Sequence, residues 1–151
     1  MRGCIPQALA VAAALLVSAA AAGHDDGEGN KRRAELDWAK QTATDFLGAY
    51  LHGPTIQAVQ LLTPEFRKLP GDVLEAILLD ARNSGFRRAE VKTELLAPGR
   101  NEAVFRGELF TEKADRVADF TVRVSKGSEG TWRVSFFRFE ERAAKPAPPK
   151  K

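Results

Sequence analysis

The sequence predicts an α+β domain in which three N-terminal helices pack on one face of a curled, four-stranded antiparallel sheet. Two observations along the chain predict it. Apolar residues recur at steps of three and four as far as Arg82, and from Arg88 onward the period drops to two. No internal repeat interrupts the stretch that carries both patterns. Helices first and a meander of strands afterwards is the order of an α+β domain.

Each element has its own signals. Leu36, Ala39, Ala43, Phe46, Leu47 and Tyr50 form one apolar face on a helix from about Ala34 to Leu51. His52-Gly53-Pro54 stops it, because Gly favours the left-handed C-terminal turn and Pro cannot continue the helix. Thr55 is placed to cap a short second helix through Leu62 that buries Ile56, Val59 and Leu62. Thr63-Pro64-Glu65 is a further start signal, a capping hydroxyl followed by Pro. After the breaker Leu69-Pro70-Gly71, Asp72 is placed to cap a third helix, Val73 to about Arg82, carrying Val73, Leu74, Ile77, Leu78 and Ala81. Asn83-Ser84-Gly85 ends it. Ala89, Val91, Thr93 and Leu95 then alternate with Arg88, Glu90, Lys92 and Glu94, the pattern of a strand with one wet face. Ala103 to Thr111, Val117 to Ser125 and Thr131 to Glu140 are the other strands. Lys126-Gly127-Ser128-Glu129-Gly130 is the clearest hairpin loop.

The ends of the chain differ from this body. Residues 1–22 have the order of a secretory signal: Met1-Arg2, an apolar run from Ala8 to Val17, then small residues offering cleavage after Ala21 or Ala22. The expected localisation is therefore export, periplasmic or secreted, with the alanine-rich signal favouring a bacterial envelope. An uncleaved membrane anchor is the rival, weakened by Pro6 and by the predominance of alanine. Residues 23–33 are polar and glycine-rich and read as a flexible leader; residues 142–151 read as a disordered Pro/Lys tail. The single domain spans 34–141. Cys4 is the only cysteine, so the domain must hold itself together by packing. Between Ala34 and Glu141 stand 15 Lys and Arg against 17 Asp and Glu, a net of −2, although the whole chain carries +3. The basicity sits in the ends, and no basic stripe of the kind that binds nucleic acid marks the body.

The step Asp45-Phe46-Leu47, the run Leu61-Leu62-Thr63-Pro64-Glu65-Phe66-Arg67 and the segment Glu129-Gly130-Thr131-Trp132-Arg133-Val134 entering the last strand resemble the nuclear-transport-factor-2-like, or cystatin-like, superfamily. The resemblance covers about Ala34 to Glu141. It implies a cone, a bent sheet wrapped by helices with a pocket at the wide end. Some relatives use that pocket for isomerase, dehydratase or cyclase chemistry, and others are non-catalytic modules. The motifs mark a fold and no reaction.

Candidate chemistry is sparse. Enzymatic relatives place an Asp, His or Tyr inside the cone. Here Tyr50 falls on an apolar face, His52 at a helix end, and Asp45 and Asp119 on polar sides. No catalytic residue, cofactor or resident metal is expected. Only cleavage after Ala21 would make His24 the third residue, where an amino terminus, two amides and an imidazole can bind Cu(II) or Ni(II). Arg82, Arg87 and Arg88 crowd the end of the third helix, whose negative dipole end they would favour. On the last strand Trp132, Val134 and Phe136 alternate onto one face, and Phe137 and Phe139 onto the other. Either a second apolar face is covered by helix, ligand or a second subunit, or a β-bulge returns the phenylalanines to the core. Trp132, Phe137, Phe139 and Tyr50 are thus the ligand-binding or interface candidates. The expected function is an exported, non-enzymatic binding or interaction module, with a small apolar ligand or a homodimer as partner. A small isomerase- or dehydratase-type enzyme is the alternative. The Lys-rich tail would suit an anionic envelope surface.

Overall fold

A computed structural model describes the backbone of residues 14–142 and the side chains of residues 27–142. The elements are α1 (Ala14–Leu51), α2 (Thr55–Gln60), a 3₁₀ turn (Phe66–Lys68), α3 (Gly71–Asn83), β1 (Phe86–Leu96), β2 (Glu102–Thr111), β3 (Val117–Lys126) and β4 (Trp132–Glu141). The chain divides into two units, one up to Ala34 and one from Glu35 onward, and the second holds the core. The strands form one antiparallel sheet in the order β1-β2-β3-β4, with helices packed against it, the α+β architecture predicted from the change of period. Among the described residues no helix is long and apolar enough to cross a membrane.

Helical backbone extends upstream of Ala34 through the segment read as a leader. Residues 27–34 are nonetheless exposed, and the buried stripe begins only downstream, at Ala39. A packed helix propagates outward cheaply, because each added residue gains a bond without a new nucleus. Glu28 also stands four residues before Arg32, the order of charges that favours a helix.

The end of α1 shows what the crowded arginines do. Gly53 N–H closes on Ala49 C=O at 3.0 Å, but the residue four beyond Tyr50 is Pro54, which has no N–H to offer. Arg82 supplies the donor from α3: its Nη2 gives hydrogen bonds to Tyr50 C=O (3.0 Å), Ala49 C=O (3.1 Å) and Gly53 C=O (2.6 Å). Arg82 therefore caps α1, not the helix that carries it. Arg87 caps α3 instead, through Nη1 to the carbonyl of Arg82, and the same Nη1 bonds the carbonyl of its neighbour Phe86 on β1.

The shorter helices depart from their sequence signals at the start. Thr55 and Asp72 lie inside α2 and α3, whose N-caps are Pro54 and Pro70 without a side-chain cap bond. Thr63 does cap, accepting from Phe66 N–H at 3.3 Å. Ile56 is 61% exposed and Val73 42% exposed, while Ala58 and Leu74 are buried. In each first turn it is Ala58 and Leu74, rather than Ile56 and Val73, that face the core.

Three register slips set which residues face the helices, the first between Phe86 and Arg88, and the other two overturn the alternation read from the sequence. On β1 the register slips between Val91 and Thr93, so Ala89, Val91, Glu94 and Leu96 share the inner face with β2 partners Leu109, Gly107, Phe105 and Ala103. A one-residue slip flips every later side chain. Thr93 and Leu95, expected inside, lie outside. Gly107 is the partner at the bulge because a Cβ there would stand 1.9 Å from Glu90 C=O. On β4 the register slips at Ser135: Val134 pairs with Val124, and Phe136 with Arg123.

Candidate functional site

The β4 bulge decides the pattern that suggested two apolar faces. Trp132, Val134 and Phe137 are buried, Phe139 is half-buried against the same core, and Phe136 points out, 38% exposed. The extra residue brings both inner phenylalanines back to the helix side. There they meet α1. Phe137 packs edge-on against Tyr50 at 4.5 Å between ring centres and against Phe46 at 5.3 Å, and Phe139 packs edge-on against Phe86 at 5.8 Å. Phe46 and Tyr50 stack one turn apart on α1 at 5.6 Å.

Three of the four sequence candidates, Tyr50, Phe137 and Phe139, thus come together. They floor a cavity of about 300 Å³ at the β4 edge, completed by Ile77 and Asp80 of α3 and by Phe136 and Arg138. The floor is apolar and the charges stand at the rim, where Arg138 pairs with Glu140. Ile77, Asp80 and Arg138 were not singled out from sequence. Their only advance signal was that α3 presents Ile77 on its apolar face.

Tyr50 is fully buried, and its hydroxyl oxygen accepts a hydrogen bond from Ala81 N–H at 3.1 Å. Burial is the main reason its phenol is pushed well above the ordinary tyrosine range, with Asp80 adding to the shift and the Ala81 N–H opposing it. A phenol so held is protonated and serves as a polar anchor between α1 and α3. No other ionisable group is drawn in: among the described residues none that is polar or charged is buried. Asp45 is exposed and takes a hydrogen bond from Gln41, Asp119 is exposed and paired with Arg142, and His52 is exposed. The side chain of His24 lies outside the described residues, which hold no group of three or more potential metal ligands.

Trp132 lies elsewhere. With Trp38, Glu35, Thr42, Lys126, Gly130 and Thr131 it lines a second cavity of about 430 Å³ between α1 and the β3–β4 hairpin. Glu35 and Lys126 form an ion pair at 2.6 Å. The Lys126 ammonium, more than the facing Trp132 indole, holds the Glu35 carboxyl below the usual carboxylate range. The buried indole N–H of Trp132 faces that carboxyl without a full hydrogen bond to it or to any other described group.

The same architecture occurs in a crystal structure of a "putative ketosteroid isomerase" from Shewanella frigidimarina NCIMB 400. The match covers 68% of this chain and 94% of that one, at a TM-score of 0.50 and 16% identity. The chain has the nuclear-transport-factor-2-like cone fold. At that identity the likeness carries the fold alone. No family model matches the sequence, and no curated protein is detectably similar to it. In the terms of this fold, the aromatic floor belongs to the cone interior and its cavity opens beside the edge strand.

Proposed function

We propose that the chain is an exported, non-enzymatic binding module, holding a small apolar or amphipathic ligand against Tyr50, Phe137 and Phe139. The observation that carries this reading is an aromatic floor whose one ionisable group, among the described residues, is an anchored tyrosine, with Asp80 and Arg138 at the rim. Ketosteroid isomerisation needs a carboxylate base beside hydrogen-bond donors, and the base must reach the proton it moves. Here Asp45, Asp80 and Asp119 are all exposed, and the Tyr50 oxygen already meets a backbone N–H. A cavity of about 300 Å³ stands at the small end of ligand pockets. Apolar burial would provide affinity, and the rim charges Asp80 and Arg138 would orient a polar head.

Titration of the purified chain with anilinonaphthalene sulfonate and a series of short-chain carboxylic acids tests this. The expected result is saturable binding of one molecule per chain. The variant Ile77→Trp, which fills the cavity from a half-exposed position, abolishes it while leaving the melting temperature in place. No saturable binding across the series would overturn the reading. Isomerisation of a β,γ-unsaturated ketone, lost in Tyr50→Phe, would favour the small enzyme instead.

A further inference from the structure

The two halves of the outer edge of β4 are treated differently. At Val134 the edge is paired: its N–H donates to Leu61 C=O at 2.7 Å and its C=O accepts from Thr63 N–H at 2.9 Å, a short parallel bridge. Beyond the bulge the edge is open. Arg142 N–H donates to Val117 C=O, and the β3 partners of Glu140, Arg138 and Phe136 are Asp119, Thr121 and Arg123. Alternation along an antiparallel ladder then makes Phe136, Arg138, Glu140 and Arg142 the residues bonded into β3. Phe137, Phe139 and Glu141 turn their N–H and C=O groups outward. No described residue pairs with those outward groups.

We infer that this edge pairs with the same edge of a second copy, antiparallel, about a two-fold axis through Phe139, joining two sheets into one of eight strands. The parity of the ladder allows an axis only on a residue, and among those registers the side-chain charges and the pairing already made at Val134 select this one. With the axis at Phe139, the two Phe139 residues exchange hydrogen bonds and Phe137 lies opposite Glu141. On the outer face Arg138 then stands opposite Glu140 of the second copy, twice by symmetry. Moving the axis to Arg138 sets arginine against arginine. Moving it to Glu140 sets glutamate against glutamate and Arg138 against Arg142. Moving it to Phe137 drives the second copy into Val134, where Leu61–Thr63 already pairs. Opposite charges facing across a ladder stabilise and like charges destabilise, so one register is favoured and its neighbours are not. An isologous interface of this kind closes after two copies and leaves no further edge on β4.

This pairing goes beyond the ligand reading and uses the same edge, since Phe137, Arg138 and Phe139 also line the cavity, so a second copy and a ligand compete there. Subunit mass and probe binding are separate measurements, and the failure of one reading is distinguishable from the failure of the other. Light scattering and sedimentation equilibrium at tens of micromolar chain give a dimer for the wild type. Arg138→Glu and Glu140→Arg each place like charges opposite one another and raise the dissociation constant by about tenfold or more. The double variant Arg138→Glu/Glu140→Arg restores the opposite pairing and the wild-type mass. Both positions are exposed, so circular dichroism of all three variants matches the wild type. As a second measurement, Phe139→Cys in a Cys4→Ser background forms a disulfide between copies, the paired Cα atoms of such a ladder lying within bridging range. A monomeric wild type would overturn the inference. So would a dimer indifferent to the single swaps, or a double variant no better than the singles.

Discussion

Replacing Phe137 and Phe136 one at a time tests the β4 bulge directly, because two neighbouring phenylalanines are assigned opposite environments. Phe137 is 8% exposed and meets both Tyr50 and Phe46 edge-on. Truncating a core Phe to Ala costs about 3–5 kcal/mol, of which each aromatic contact accounts for roughly 0.5–1.5. With two such contacts, Phe137→Ala belongs near the middle, about 4 kcal/mol. Phe136 is 38% exposed, and the Arg123 guanidinium lies 5.7 Å from its ring centre. An exposed cation–π contact contributes about 0.5–1 kcal/mol, so Phe136→Ala costs about 1 kcal/mol or less. The gap of about 3 kcal/mol is more than a hundredfold in the folding constant. Urea denaturation followed by circular dichroism reads both midpoints, and unchanged slopes keep the comparison valid. Should Phe137→Ala fail to fold, Phe137→Leu against Phe136→Leu preserves the contrast at about 1 kcal/mol against almost none. Equal costs, or a larger cost at Phe136, would place the wrong phenylalanine inside and refute the bulge.

Three further outcomes follow from the polar groups. Arg82→Met keeps the aliphatic stem but leaves the Tyr50 carbonyl without its donor; thermal and urea unfolding should show a loss of about 2–3 kcal/mol, the cost of a charged hydrogen bond and an orphaned carbonyl. Tyr50 is the only tyrosine, so phenolate absorbance is specific to it. Its folded pKa is raised, so its contribution to stability is complete below about pH 10, its ordinary value, and is lost as pH rises beyond that. Phenolate should therefore form only with unfolding, and Tyr50→Phe should flatten the alkaline limb while costing about 1 kcal/mol at neutral pH. Glu35 has a lowered folded pKa, so its contribution is complete above about pH 4.3 and is lost as pH falls through the folded value. Glu35→Gln should remove that part of the acid limb. Both tryptophans of the chain line the cavity beside Glu35, so the acid transition should be visible in their fluorescence before global unfolding.

What the sequence made legible was whatever repeats. The stripe from Ala39 to Tyr50 is a period-3.6 pattern whose predicted inner residues are buried, and Ala103 to Leu109 and Ala118 to Val124 are period-2 patterns whose alternate residues are buried. The failures are single-residue events. A bulge at Lys92 or Ser135 changes no composition, yet it moves Leu95 outside and Phe137 inside. Whether Phe136-Phe137 bulges depends on what the helices need beneath the strand, and that is tertiary information. The same holds for Arg82: its place near a helix end was readable, but which helix it caps depends on the distant Pro54. Arg142, read as the first residue of the tail, is fastened to the sheet by Val117 C=O and by pairs with Asp119 and Glu108. The candidate site was legible as three aromatic residues and illegible as a cavity, because Ile77, Asp80 and Arg138 join it only through packing across the chain.

The distribution of charge links the outer sheet face to the edge. On that face Arg142 bridges Asp119 and Glu108, Lys92 pairs with Glu90 and lies 3.7 Å from Glu108, and Arg123 lies 3.5 Å from Glu102. Most cations there meet an acid on their own or a neighbouring strand, with Arg106 set between Thr93 and Thr121 instead, which breaks the face into alternating signs rather than a stripe. Such pairs are exposed and individually stabilise little. Their effect is on selection: a mosaic of neutralised charges gives a polyanion no continuous track, and it leaves a second sheet only scattered apolar residues, Leu95 and Phe136 the most exposed of them. The Arg138–Glu140 pair differs from the rest because both members belong to β4. It has no partner on β3, since the pairing residues there are Thr121 and Asp119. An intrastrand pair at an open edge can exchange into two pairs across a two-fold axis without leaving any charge unmatched. That is why the charge swap at Arg138 and Glu140, rather than any substitution on the face, is the decisive experiment for whether two copies pair through this edge.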